Sequence, residues 1–334
     1  MKSIIYIVVY MGKFDEFFNF WLLTCRYNPT IDFLIITDDN RKFDYPNNVH
    51  VVYRNLDWVK SQFQKLYDFD IKLDNPYKLC DYKPAYGEAF AELIEGYDFW
   101  GHCDIDLLWG DIRDYLTEDV LDKYDRIGFL GHSIIYRNNK ENNRRYRLGK
   151  TAEDNYRKVF STNENCFFDE RGVNYIYDKL GVPYYKKQIF ADLTEYKYNF
   201  YLTNVPKEDA YKNGKQIFYW NKGKLERYYL VNNRVFKDEF MYIHFLKRKM
   251  KLLCSTDNQK LMIIPNNITN RIEEPSVSVI KKYSKPHWVR YFIMLAVEKR
   301  DKISIRNVIR FIIRRSKKYY NLRFNNHELN DRKN

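Results

Sequence analysis

Asp104 and Asp106 stand one residue apart at the end of an apolar segment, Tyr97-Asp-Phe-Trp-Gly-His-Cys-Asp-Ile-Asp-Leu-Leu-Trp109. In an extended strand, side chains at i and i+2 share a face. The spacing therefore brings both carboxylates out together and turns Ile105 toward a core. Paired carboxylates at the carboxyl end of a buried strand can hold a hard divalent cation. That end of an open α/β sheet is also where ligands bind. A cation held there can neutralise a diphosphate, so the chemistry suggested is transfer from a nucleotide-activated donor.

The elements that must position this pair alternate. Residues 4–9 are an unbroken apolar run, as in a buried strand. Residues 14–26 predict an aromatic-rich helix, stopped near Asn28-Pro29. Residues 32–37 and 49–53 predict two further buried strands. Residues 56–69 and 81–95 predict helices, the second with Pro84 near its start and good helix formers after it. The strand ending at Asp104 follows. This alternation predicts an α/β fold with a mostly parallel central sheet covered on both faces.

Further along, residues 126–130 and 133–136 predict strands, and 138–147 a loop. Residues 169–180 predict a helix, stopped by Gly181-Val-Pro183. Residues 216–230 predict a hairpin around Asn221-Lys-Gly-Lys224. Arg137 and the run Asn142-Asn-Arg-Arg-Tyr-Arg147 are candidates to clamp a phosphate or an acceptor. A solvated basic loop is the alternative.

With 334 residues and 45% apolar content, the chain can bury a sizeable core. Its 31 Tyr and 23 Phe suit sugar-stacking clefts, although a codon bias toward Tyr, Phe, Asn, Lys and Ile gives the same composition. Five scattered cysteines without a C-x-x-C pair argue against a disulfide framework or zinc site, and for a reducing cytoplasm. The opening Met1-Lys-Ser-Ile-Ile-Tyr reads as a first strand, not a signal peptide. No apolar run approaches the ~20 residues of a membrane-spanning helix. Of the net charge of +13, residues 281–334 supply +12, with sixteen Lys and Arg against four Asp and Glu. The near-neutral body argues against nucleic acid as a partner.

Several segments together resemble the GT-A-fold (Rossmann-like) glycosyltransferases of bacterial surface polysaccharide clusters, above all capsule-type enzymes related to glycosyltransferase families 8 and 32. They are Tyr10-Met-Gly-Lys-Phe14, Asn28 through Asp39, Tyr77-Lys-Leu-Cys-Asp-Tyr-Lys-Pro-Ala-Tyr-Gly87 and Tyr97 through Asp111. Gly131-His-Ser-Ile-Ile-Tyr-Arg-Asn138, Phe168-Asp-Glu170 and Tyr242-Ile-His-Phe245 complete the set. The likeness covers residues 1–250. It implies a transferase domain with a nucleotide-binding half (1–110) and an acceptor half (111–275), ended near Pro275, where the composition changes.

By that resemblance, Asp104 and Asp106 bind Mn²⁺ or Mg²⁺ bridging the donor diphosphate. His244 completes the metal shell and favours Mn²⁺, unless it is a core histidine between Tyr242 and Phe245. His102 is a neighbour of the site. Asp81 and Lys83 lie on a helix facing the nucleotide, Asp81 toward a base or ribose and Lys83 toward a phosphate. The alternative for Asp81 is a carboxylate at a helix N-terminus. Tyr10 and Gly12 seat the nucleotide after the first strand, or simply end it. Asp169 and Glu170 match an acidic pair in the acceptor half, as general base or acceptor ligands. Retaining chemistry is preferred over inverting, on the likeness alone.

Residues 276–334 are expected to form a basic helical tail. Ile305, Val308, Ile309 and Ile312 recur on one face, with Arg306, Arg310 and Arg314 every four residues. Such a helix can lie on an anionic membrane surface, or dock on the protein's own core. The combined expectation is a cytoplasmic, membrane-peripheral glycosyltransferase. Its partners would be a nucleotide-diphosphate-sugar and a glycan or lipid-linked oligosaccharide. The rivals are a nucleotidyl- or sugar-phosphate transferase and a non-catalytic adaptor using the basic tail.

Overall fold

The computed structural model describes residues 1–151, 154–194, 197–246 and 248–284. Met1–Ser284 form one compact unit. The stripe expected at 305–312 lies outside the described residues. Among those residues, no helix is long and apolar enough to cross a membrane.

The first 110 residues hold β1 (Ile4–Tyr10), α1 (Phe18–Arg26), β2 (Asp32–Thr37), β3 (Val49–Tyr53), α2 (Leu56–Gln64), α3 (Leu79–Tyr82), α4 (Tyr86–Ala89), β4 (Phe99–Cys103) and β5 (Leu107–Trp109). Next come α5 (Glu118–Lys123), β6 (Arg126–Ile127), β7 (Ser133–Arg137), α6 (Lys140–Arg144), α7 (Tyr156–Phe160), α8 (Val173–Lys179) and β8 (Phe190–Asp192). The last part holds β9 (Gln216–Asn221), β10 (Lys224–Val231), β11 (Arg234–Glu239), β12 (Tyr242–His244), β13 (Lys251–Leu252), β14 (Lys260–Ile264), β15 (Asn267–Thr269) and α9 (Val277–Tyr283).

The fold is α/β, but built on three mixed sheets where the sequence predicted one mostly parallel sheet. The first has the order β3-β2-β1-β4-β7-β6. β3, β2, β1 and β4 are parallel, and β7 runs against both its neighbours. The second, β11-β10-β9-β14-β15-β13, is antiparallel except at its β13 edge. The third is the short set β5-β12-β8.

Burial on both faces explains the apolar runs of β1 and β2, whereas β3, at the sheet edge, exposes His50 and Tyr53. Ile5 and Ile7 of β1 pack with Val59, Phe63, Tyr82 and Tyr86. Ile4, Tyr6 and Val8 point the other way, among Phe18, Trp21 and Leu22 of α1. Helix α1 is apolar on two sides, because Phe20 and Leu23 belong to a separate core with Phe218 and Trp220 of the second sheet. The hairpin expected around Asn221-Lys-Gly-Lys224 forms, with Lys222 and Gly223 both at positive φ, as a type I′ turn requires. Asn232 and Asn233 make a second such turn, between β10 and β11.

Several expected elements change. Residues 81–95 are not one helix but a chain of short α and 3₁₀ turns. Pro84 brings no N–H for a continuing helix. Gly87 lies against the Trp100 indole, where a Cβ would collide. Helix α1 begins four residues late, α2 ends at Gln64, and the strand expected at 126–130 stops at Ile127 because Gly128 turns at φ +100. The loop expected over 138–147 is helical from Lys140, as α6 and a 3₁₀ turn over Arg145–Leu148, with the Asn139 side chain capping Asn142 N at 2.8 Å. A π turn over Phe168–Gly172 precedes α8 in the segment expected as a plain helix.

The boundary near Pro275 also moves. Ser276 caps α9, and Ile280 is fully buried with Ile217, Tyr219, Met262 and Ile264 of the second sheet. The compact unit therefore ends at Ser284. Ile280→Ala should cost about 2–5 kcal/mol in denaturant unfolding. A chain ending at Ser284 should stay folded, whereas one ending at residue 275 should melt well below it. Equal melting would place α9 outside the core.

Candidate metal centre and its cavity

In the first sheet the chain runs outward from β1 to β2 and β3, then crosses back to place β4 on the other side of β1. The crevice between the carboxyl ends of β1 and β4 is thus a topological switch point, where open α/β sheets bind ligands. A cavity of about 930 Å³ opens there, lined by Ile7–Met11 and Cys103–Asp106 among others. It is large enough for a nucleotide-sized ligand.

The two aspartates do not sit on a strand. The chain leaves the first sheet after Cys103, bends through residues 104–106 and enters β5. Asp104 N donates to His132 O at 3.0 Å and Phe245 N donates to Asp106 O at 2.9 Å, so both sides of the bend are held. Their carboxylates converge because of this bend, not through strand alternation. Ile105 is partly buried and packs against the core, as expected.

Strand register supplies the histidine. In the third sheet His244 pairs with Leu107 on one side and Asp192 on the other. His244 Nε2 consequently lies 3.3 Å from Asp106 Oδ1 and 4.0 Å from Asp104 Oδ2, while Nδ1 lies 2.8 Å from Asp192 Oδ1. Asp104, Asp106 and His244 each bring a donor atom within 4.8 Å of the others. Two carboxylates and an imidazole whose second nitrogen is tied to a third carboxylate fit a divalent cation with an oriented histidine. Asp192 is itself held by the Thr203 hydroxyl and by Asn204 Nδ2 at 3.3 Å.

The pocket is electrostatically negative. Burial opposes charge on His244, but Asp106, Asp192 and Asp104 outweigh it and push its pKa up to about 10. Lys83 lies deep in the wall, its ammonium 2.6 Å from Asp104 Oδ1, 2.8 Å from Gly131 O and 3.6 Å from Asp169 Oδ2. Burial disfavours that charge too, yet the two aspartates hold the Lys83 pKa well above normal. Asp169 is buried, and its carboxyl is pushed up to about 7; Lys83 opposes the shift, while Glu170 and Asp104 add to it. Glu170 Oε1 accepts from Gly131 N at 2.9 Å. At Gly131 a Cβ would collide with the Asp169 carboxylate, so this contact needs glycine.

Of the residues expected at the site, Tyr10, Lys83, Asp104, Asp106, Asp169, Glu170 and His244 all line the cavity. Lys83 is engaged with carboxylates rather than left as a free point charge. Gly12 turns at φ +102 and donates to Asp38 Oδ1 at 2.7 Å, outside the lining. Asp81 is fully buried, paired with Lys78 at 2.8 Å and accepting from Cys166 N and Phe168 N. It pins the segment that carries Asp169 and does not face the cavity. Arg137 sits opposite Phe99, at the far end of β4 from Asp104, and binds Asp125 at 2.8 Å. It is not at the site. His102 is fully buried and absent from the lining.

Sequence reasoning missed Asp192 and His132. Asp192 ends a three-residue strand with no motif around it. Only the long-range pairing with His244 makes it a partner. His132 follows Gly131 in a segment already singled out, and an imidazole two residues before Ile134 carried no distinguishing signal of its own.

The chain belongs to DUF6625, a family of unknown function, whose profile matches residues 6–272. That range contains every cavity residue named above. No curated protein matches the chain.

Asp169 gives a pH test. Its folded pKa of about 7 stands above the ordinary 3.8. The uncharged carboxyl therefore contributes stability that is fully present below pH ~4 and lost as pH rises through ~7. Asp169→Asn stays uncharged, so its stability relative to wild type should rise between pH 4 and 8. Parallel stability curves across that window would show that Asp169 titrates normally.

Proposed function

We propose that this protein is a metal-dependent glycosyltransferase of the GT-A kind, moving a sugar from a nucleoside-diphosphate-sugar to a cell-surface glycan. The observation that carries the reading is the convergence of Asp104, Asp106 and His244 at the carboxyl ends of β1 and β4, on a cavity of about 930 Å³.

In this reading Asp104, Asp106 and His244 hold Mn²⁺ or Mg²⁺. The cation supplies Lewis-acid stabilisation of the departing diphosphate. Asp192 fixes the His244 ring so that Nε2 addresses the carboxylates. Lys83 orients Asp104 and adds positive charge beside the site where diphosphate charge develops. Asp169 and Glu170 form the wall for the acceptor. Asp169 titrates near neutrality and can hold or take a hydroxyl proton, whereas Glu170 is committed to Gly131 N. Retaining transfer needs no such base, and the anomeric configuration of the product decides between the two roles. The +12 charge of residues 281–334 suits an acceptor at an anionic membrane surface.

The test is calorimetric titration of nucleoside diphosphates with and without Mn²⁺. Wild type should bind only with the metal. Asp106→Asn should lose roughly tenfold or more in affinity while melting normally. His244→Ala should weaken Mn²⁺ more than Mg²⁺. Nucleotide affinity indifferent to Mn²⁺ in wild type, or unchanged in Asp106→Asn, would sink the proposal. Free sugar released from a nucleoside-diphosphate-sugar, detected by mass spectrometry, separates a glycosyltransferase from a nucleotidyltransferase.

A further inference from the structure

His132, Asp192 and His244 form a second group, sharing His244 with the first. One donor atom from each lies within 4.8 Å of the others, and all three side chains are buried. His132 lines the cavity. Its Nδ1 lies 2.8 Å from the Tyr242 hydroxyl, which fixes the ring. Its Nε2 is buried without a hydrogen-bond partner among the described residues. A buried ring nitrogen left in that state costs free energy unless a ligand or water reaches it. The His132 and His244 rings lie 4.3 Å apart between centroids. No step of the proposed transfer uses His132.

We propose that His132, Asp192 and His244 bind a zinc-type transition-metal ion, and that this ion antagonises the cation held by Asp104, Asp106 and His244. Two imidazoles and one carboxylate are the protein donors of an open zinc site. Two carboxylates and one imidazole suit the harder Mn²⁺ better. A metal between Asp192 and His244 replaces the proton they share, so binding releases a proton. Two dications on one buried imidazole ring repel each other. The antagonism rests on the cation site proposed above; the zinc site itself stands on His132 and Asp192.

The experiment titrates the full-length chain separately with Zn²⁺ and Mn²⁺, using wild type, His132→Asn and Asp106→Asn. The asparagine keeps a polar atom near Nδ1 for Tyr242 and deletes Nε2. His132→Asn should lower Zn²⁺ affinity roughly tenfold or more and leave Mn²⁺ affinity unchanged, and Asp106→Asn should do the reverse. Zinc-loaded wild type should bind Mn²⁺ roughly tenfold more weakly. Zinc-edge anomalous scattering from wild-type crystals needs no variant and should put the ion against His132 Nε2. No Zn²⁺ binding by wild type, Zn²⁺ lost with Mn²⁺ in Asp106→Asn, or an anomalous peak between Asp104 and Asp106 would each overturn the inference. If only Mn²⁺ binding fails, the transferase reading falls and the zinc site stands.

Discussion

The site is organised by a concentration of negative charge that the protein cannot leave uncompensated. Asp104, Asp106, Asp169, Glu170 and Asp192 all line one cavity. Like charges at such distances destabilise one another strongly in a pocket of reduced dielectric. Two buried cationic groups answer them. Lys83 bridges toward Asp104 and Asp169, and His244 stands between Asp192 and Asp106. The elevated pKa of His244 expresses this field directly, whereas that of Asp169 comes first from burial, with Glu170 and Asp104 adding to it.

This compensation is built by backbone pairing more than by local sequence. The three-stranded sheet β5-β12-β8 exists on very short strands, yet it sets His244 beside Asp192 and beside the bend that carries Asp106. Tyr242 in the same strand holds His132 by its ring nitrogen. The buried Lys78–Asp81 pair fastens the segment 166–168 against the wall, which fixes where Asp169 emerges. A substitution in β8 or β12 is therefore expected to act on the site through register, even where the altered side chain touches nothing in the cavity.

Much of this was legible in the sequence, and the failures have physical causes. The runs of β1 and β2 reveal themselves because strands buried on both faces must be apolar throughout. The Lys222-Gly223 turn is legible because a type I′ turn needs positive φ at both residues. The gathering of Asp104, Asp106 and His244 was expected from resemblance; the reason given for the first two, strand alternation, was not the mechanism. Residues 81–95 have helical propensity, but Pro84 and the packing of Gly87 on Trp100 override it. Arg137 was misplaced because β7 is antiparallel to β4, which sends its last residue away from Asp104. Asp192 was invisible because nothing local distinguishes a carboxylate that acquires its partner 52 residues away.

In the proposed transferase, one cation would be held at once by His244 and by a donor diphosphate. Pulsed electron paramagnetic resonance on Mn²⁺ bound to the full-length chain with a nucleoside diphosphate reads both contacts directly. The account predicts ¹⁴N modulation from one imidazole together with ³¹P coupling, and loss of the nitrogen signal alone in His244→Ala. Phosphorus coupling without nitrogen in wild type, or Mn²⁺ that stays free in solution with the nucleotide, would contradict it.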